Sequence, residues 1–75
     1  MELRDKIKEL ADARGTTFHK IEDRCGLGNG SIRNWVGGKY PSADRLFRVA
    51  VFLETTVDEI MVDTYGKGAT NGRSS

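Results

Sequence analysis

The chain contains one cysteine, one histidine and no apolar run longer than the five residues Val49-Ala50-Val51-Phe52-Leu53. Each scarcity removes a class of protein. A lone Cys25 excludes a disulfide framework and a cysteine-based zinc site, which needs several clustered ligands. His19 has no cysteine or histidine partner nearby in sequence, so metal ligation and general-base work are not expected of it. A five-residue run is far below the roughly 20 residues of a membrane-spanning helix. The opening Met1-Glu2-Leu3-Arg4-Asp5 lacks the apolar stretch of a signal peptide. These features predict a cytoplasmic protein with no membrane segment, no metal and no cofactor. Cys25 is then a small core residue in a reducing compartment, since nothing beside it supplies a base.

A strong charge excess is also missing. The net charge is +1, which excludes a globally basic coat for nucleic acid. The distribution is more informative. Residues 1–13 carry a net −1, residues 14–48 a net +4 and residues 49–75 a net −2. Positive charge is gathered in the middle of the chain, as electrostatic docking on phosphates requires. Seventy-five residues make one domain. A chain of this size buries only about 60% of its unfolded surface, so its stability is modest unless it pairs with another subunit.

What is present is helical periodicity punctuated by glycine. A first helix is predicted over about Glu2–Arg14, with Leu3, Ile7, Leu10 and Ala11 on one stripe, ending at Gly15. Thr16 or Thr17 caps a second, Phe18–Cys25, with Phe18, Ile21 and Cys25 inward. Gly26 ends it and Leu27 anchors the turn. A third helix is predicted from Gly28 or Asn29 to about Val36, burying Ile32, Trp35 and Val36. After Gly37-Gly38 and the Lys39-Tyr40-Pro41 loop, Ser42 caps a fourth, Ala43 to about Leu53. Its core stripe is Leu46, Val49, Ala50 and Leu53. Phe47, Val51 and Phe52 extend its apolar character around the circumference, which predicts the central helix of the bundle. The alternative is that part of this surface, with Val57, Met61 or Val62, is a dimer contact. Thr56 and Glu59 form a capping box that opens a fifth helix through Val57, Ile60 and Met61. The expected fold is all-α, a compact bundle of five short helices. Residues 1–65 form the domain, and 66–75, rich in Gly, Ser and polar residues, read as a disordered tail or linker.

The segment Phe18–Gly38 carries the functional signal. Gly26 supplies a residue tolerant of positive φ between two short helices, and Leu27 follows as an apolar anchor. The second helix of the pair offers short polar side chains, Asn29, Ser31, Arg33 and Asn34, suited to base edges. Asn can pair bidentately with adenine and Arg with guanine, each discriminating by roughly 1–3 kcal/mol. The glycines of Gly26-x-Gly28-x-Gly30 do not make a dinucleotide fingerprint, because polar Glu22-Asp23-Arg24 precedes them where a buried strand is required. The neighbouring carboxylates Glu22-Asp23 and Asp58-Glu59 point to different helix faces and are not an acid/base pair. No enzyme chemistry is predicted.

Over about Ile7–Met61 the chain resembles the Cro/cI-type helix-turn-helix family, also called the XRE or lambda-repressor-like family. The resemblance rests on Ile7-Lys8-Glu9-Leu10, the Cys25-Gly26-Leu27 turn and Ser31-Ile32-Arg33-Asn34-Trp35. It continues in Gly38-Lys39-x-Pro41-Ser42, Leu46…Val49-Ala50 and Thr56-Val57-Asp58-Glu59-Ile60. It implies a helix-turn-helix formed by helices 2 and 3, binding to double-stranded operator DNA, and a homodimer acting as a transcriptional regulator, most simply a repressor on a palindromic site. By position, Asn29, Gly30 and Asn34 lie where the family reads bases, with Ser31 and Arg33 beside them. Gly37, Gly38 and Lys39 lie where it contacts phosphate, and Thr17, His19, Lys20 and Tyr40 are further expected phosphate contacts. Phe18 stands where the family often has Gln, Glu22 where it usually has a small residue, and Gly30 removes a base-reading side chain. These departures shift expected specificity toward Arg33, Asn34 and DNA shape. They also leave an alternative: a protein-interaction module on the same fold that has lost DNA reading.

Overall fold

The computed structural model describes residues 2–64. Among the described residues the backbone is all-helical, with no strand. Helix α1 runs Leu3–Arg14, α2 Phe18–Cys25 and α3 Ala43–Phe52, with one 3-10 turn, Ile32–Asn34, between α2 and α3. The backbone is helical again over 57–64. The tail expected at 66–75 lies outside the described residues.

The ends of these elements follow from local chemistry. Gly15 adopts the left-handed conformation that closes α1, and its N–H donates to Asp12 O at 3.2 Å. Thr17 Oγ1 accepts from Lys20 N–H and caps α2, which settles the choice between Thr16 and Thr17. Ser42 Oγ does the same for α3 through Arg45 N–H. Thr56 Oγ1 accepts from Glu59 N–H at the start of 57–64.

The core is one cluster. Leu3, Ile7 and Ala11 of α1 meet Ile21 and Cys25 of α2, Ile32 and Trp35, Leu46, Val49, Ala50 and Leu53 from α3 and its end, and Ile60. Leu10, Phe18, Leu27, Phe52, Val57 and Met61 pack half-buried around it. Helix α2 packs on α3, and both α1 and α2 touch the 3-10 turn. Trp35 is in the core, as its spacing from Ile32 predicts. Burial pushes the Cys25 thiol up from its ordinary pKa, with Arg48 opposing the shift, so the thiol is protonated and inert at neutral pH.

Two expectations are corrected. The third α-helix, predicted from Gly28 or Asn29 to Val36, is a turn followed by three 3-10 residues. Gly30 sits at φ +83°, which breaks an α-helix there, and Ile32 N–H bonds to a side chain rather than to a carbonyl one turn back. The bundle is therefore not five α-helices. The fourth predicted helix, now α3, is not covered all round either: Phe47 and Val51 are 60% and 57% exposed.

Ion pairs tie the first helix to the end of the bundle. Arg14 pairs with Glu54 at 3.0 Å. Lys6, with its side chain only 12% exposed, pairs with Asp63 and more loosely with Glu9. The Asp63 hydrogen bond raises the Lys6 pKa above its ordinary value, outweighing burial, which acts the other way. A raised lysine pKa adds stability at lower pH that is lost as pH climbs through the folded value. Thermal melts of the protein should therefore lose stability above about pH 10. Asp63→Asn should lower stability by about 1 kcal/mol at neutral pH and shrink that alkaline loss.

Candidate nucleic-acid interface

Helix α2 has an inward stripe made of Phe18, Ile21, Glu22 and Cys25, and one of these is a carboxylate. Glu22 is 5% exposed. A buried charge is costly unless hydrogen-bonded, and here the partners are backbone. Gly30 N–H donates to Glu22 Oε1 at 3.0 Å and Ile32 N–H donates to Oε2 at 3.1 Å. The Glu22 carbonyl meanwhile accepts from Gly26 N–H and from Leu27 N–H, the latter at 2.8 Å. One residue thus holds both the turn after α2 and the start of the 3-10 turn. Gly26 at φ +73° lets the chain leave α2 abruptly, and Gly30 at φ +83° aims its N–H at the carboxylate.

This clamp presents the polar residues of the segment. Asn29, Arg33 and Asn34 are exposed, while Gly30 and Ser31 are half-buried. Phe18, His19, Glu22, Asn29, Gly30 and Arg33 line a shared concavity of about 350 Å³. The start of α2 and three of the predicted base-reading residues, Asn29, Gly30 and Arg33, therefore face one surface feature, whereas Ser31 and Asn34 are not part of its lining. Ser31 is less available than the sequence implies, because its hydroxyl donates to Gly28 O at 2.7 Å and holds the turn. Asn34 Nδ2 donates weakly to Gly30 O at 3.4 Å, leaving its carbonyl oxygen outward. Arg33 enters no ion pair among the described residues.

The predicted phosphate contacts divide. Thr17, His19, Lys20, Gly38, Lys39 and Tyr40 are exposed. Gly37 is exposed too, but its N–H donates to Glu2 Oε1 at 3.0 Å and is already occupied. Gly37 and Gly38 both have positive φ, at 61° and 88°, forming the turn that carries Lys39. Thr17 Oγ1 accepts from Lys20 N–H as the α2 cap and keeps its O–H as a donor.

Sequence reasoning passed over Glu22 as a functional support, noting it only as standing where a small residue is expected. The signal was present: it lies four residues after Phe18 and three before Cys25, on the apolar stripe. It also passed over a pattern in the cations. Arg4, Lys6, Lys8, Arg14 and Arg48 each pair with a carboxylate. Lys20, Arg24, Arg33, Lys39 and Arg45 pair with none among the described residues, and all five fall between α2 and the first turn of α3. No group of three or more His, Cys, Asp or Glu able to hold a metal occurs among the described residues. No described helix is long and apolar enough to cross a membrane.

Comparisons with known protein families, with curated proteins and with solved structures find no match to this chain.

Two substitutions test the clamp. Glu22→Ala leaves two buried N–H groups unpaired and should cost about 2–4 kcal/mol in urea unfolding. Amide protection should be lost first at Gly30 and Ile32. Glu22→Gln keeps the shape but turns an NH2 toward an N–H donor, and should cost about 1–2 kcal/mol. Equal protection at both amides in the Ala variant would contradict the clamp.

Proposed function

We propose that this chain binds double-stranded DNA sequence-specifically, as a cytoplasmic transcriptional regulator and most simply as a repressor of a palindromic operator. The segment after α2 enters the major groove as the reading half of a helix-turn-helix of the Cro/cI type. A homodimer would set two such segments about 34 Å apart, one helical turn of DNA.

The observation that carries this reading is the sorting of charge. Among the described residues, cations away from the 18–45 region are neutralised by carboxylates of the same molecule. Arg33 itself and Lys20, Lys39 and Arg45, which flank Asn29 and Asn34 along the chain, have no such partners among the described residues, and their missing anions are what phosphates supply. Arg33 is the best-placed base reader, since its guanidinium is exposed and uncommitted and matches the O6/N7 edge of guanine. Asn34 can accept through its carbonyl oxygen. Ser31 and Gly30 act by shaping the backbone, and Glu22 holds that backbone rigid against α2. Lys20 and Lys39 suit phosphates on either side of the groove, together with the exposed His19 and Tyr40.

Selection from random duplex DNA at about 0.15 M salt, where purely electrostatic binding is suppressed, tests the proposal. Recovery of a motif with two-fold symmetry is the expected result. A folded protein that enriches no sequence would favour the protein-interaction reading instead. Within the selected site, Arg33→Ala and Asn34→Ala should relax preference at single positions, by about 1–3 kcal/mol each. Lys39→Ala should weaken binding to all sequences alike and reduce the salt slope by about one. Unchanged preference in both the Arg33 and Asn34 variants would remove the segment from base reading.

A further inference from the structure

We infer that two copies of this chain pair through the exposed face of α3 centred on Phe47 and Val51, in an antiparallel arrangement that sets Arg24 of each copy against Asp58 of the other. The inference gives the dimeric reading above its contact surface and rests on that reading for its purpose; the physical case is separate.

The inward stripe of α3 is fully used by the core. On its other side Phe47 and Val51, one turn apart, stand 60% and 57% exposed. Arg48 lies between them but is tied back, with Nη1 donating to Cys25 O at 3.4 Å and Nη2 paired with Asp44 at 2.9 Å. Its charge is therefore met within the same copy, while its side chain borders the hollow beside Phe47 and Val51. Adjacent exposed apolar side chains of this size mark an interaction surface.

The surroundings of Phe47 indicate which partner. The ring stands between two hollows. One, of about 320 Å³, is formed with Arg24, Cys25, Arg48, Val51 and Phe52; the other, of about 240 Å³, with Ala50, Thr55, Thr56, Val57 and Asp58. A protruding ring beside a hollow is self-complementary, because under two-fold symmetry one surface supplies both knob and socket. The charges agree. Arg24 edges the first hollow and Asp58 the second, and neither has an ion-pair partner among the described residues. A two-fold axis lying in the contact plane, across the line from Arg24 to Asp58, brings each Arg24 opposite the other copy's Asp58. A polyanion would meet attraction at one edge and repulsion at the other. A second copy satisfies both.

Sedimentation equilibrium of the full chain without DNA tests this, over about 1 μM to 1 mM, the range in which a contact smaller than the standard interface is half-formed. The expected result is a monomer–dimer equilibrium. Phe47→Glu, at an exposed position and with its helical circular dichroism checked, should raise the dissociation constant at least about thirtyfold, as loss of a central aromatic anchor does. Arg24→Asp and Asp58→Arg should each weaken pairing, and the two together should restore it, since the exchanged charges again face their opposites. A wild-type chain that stays monomeric throughout overturns the proposal. So does association unaffected by Phe47→Glu, or a double variant no better than either single one. Because no DNA is present, such a failure leaves the outcome of the DNA selection to judge the reading segment by itself.

Discussion

A carboxylate withdrawn from water between α2 and the chain that follows it governs this small domain. Glu22 enters no ion pair among the described residues and is satisfied instead by the N–H groups of Gly30 and Ile32. Hydrogen bonds to an ionised acceptor are among the stronger ones available to a protein, and here they fix a segment with little regular structure of its own. Ile32 and Trp35 can reach the core only along the path those bonds dictate. Arg33 and Asn34 are then presented outward by default. Gly30 belongs to the same device: a side chain at φ +83° would be strained even though nothing lies within 4 Å of where it would stand. Glu22 and Gly30 thus explain one another.

Most of the framework could be read from residue order. The bounds of α2 follow from Thr17 and Gly26, the buried stripes of α1 and α3 from their spacing, and the turn into 57–64 from Thr56 and Glu59. The 28–36 segment could not be read in the same way. Ile32, Trp35 and Val36 have helical spacing, but periodicity reports which residues face inward and not which acceptor takes the backbone donors. The acceptor here lies eight and ten residues away. The bare side of α3 escaped for another reason. An apolar circumference implies a central helix only where the chain has enough elements to surround it, and a domain of this size has neighbours for one side alone.

Charge placement separates the scaffold from the candidate interface. Single surface ion pairs add little stability. Their larger effect here is on the field, since Lys6 with Asp63 and Arg14 with Glu54 cancel charge at the end of the molecule where α1 meets the residues after α3. Among the described residues, the uncancelled cations lie between Lys20 and Arg45 in the chain, on either side of the glycine-rich segment and within it. A net charge of +1 therefore coexists with a net +4 over residues 14–48, a concentration that total composition conceals.

The bonds that place this segment also set the order in which the molecule can assemble. Helices α1, α2 and α3 are local structures that form within microseconds. The stretch from Gly28 to Gly38 has four glycines and little intrinsic preference for any one conformation. Its anchors are Glu22 of a finished α2, Glu2, which reaches Gly37 N–H across 35 residues, and Trp35 O, which accepts from Arg4 N–H. It can become ordered only after the helices have docked, and its order is lost as soon as any of them withdraws. The candidate interface is thus the last part of the described chain to become ordered, and it exists only on an assembled domain.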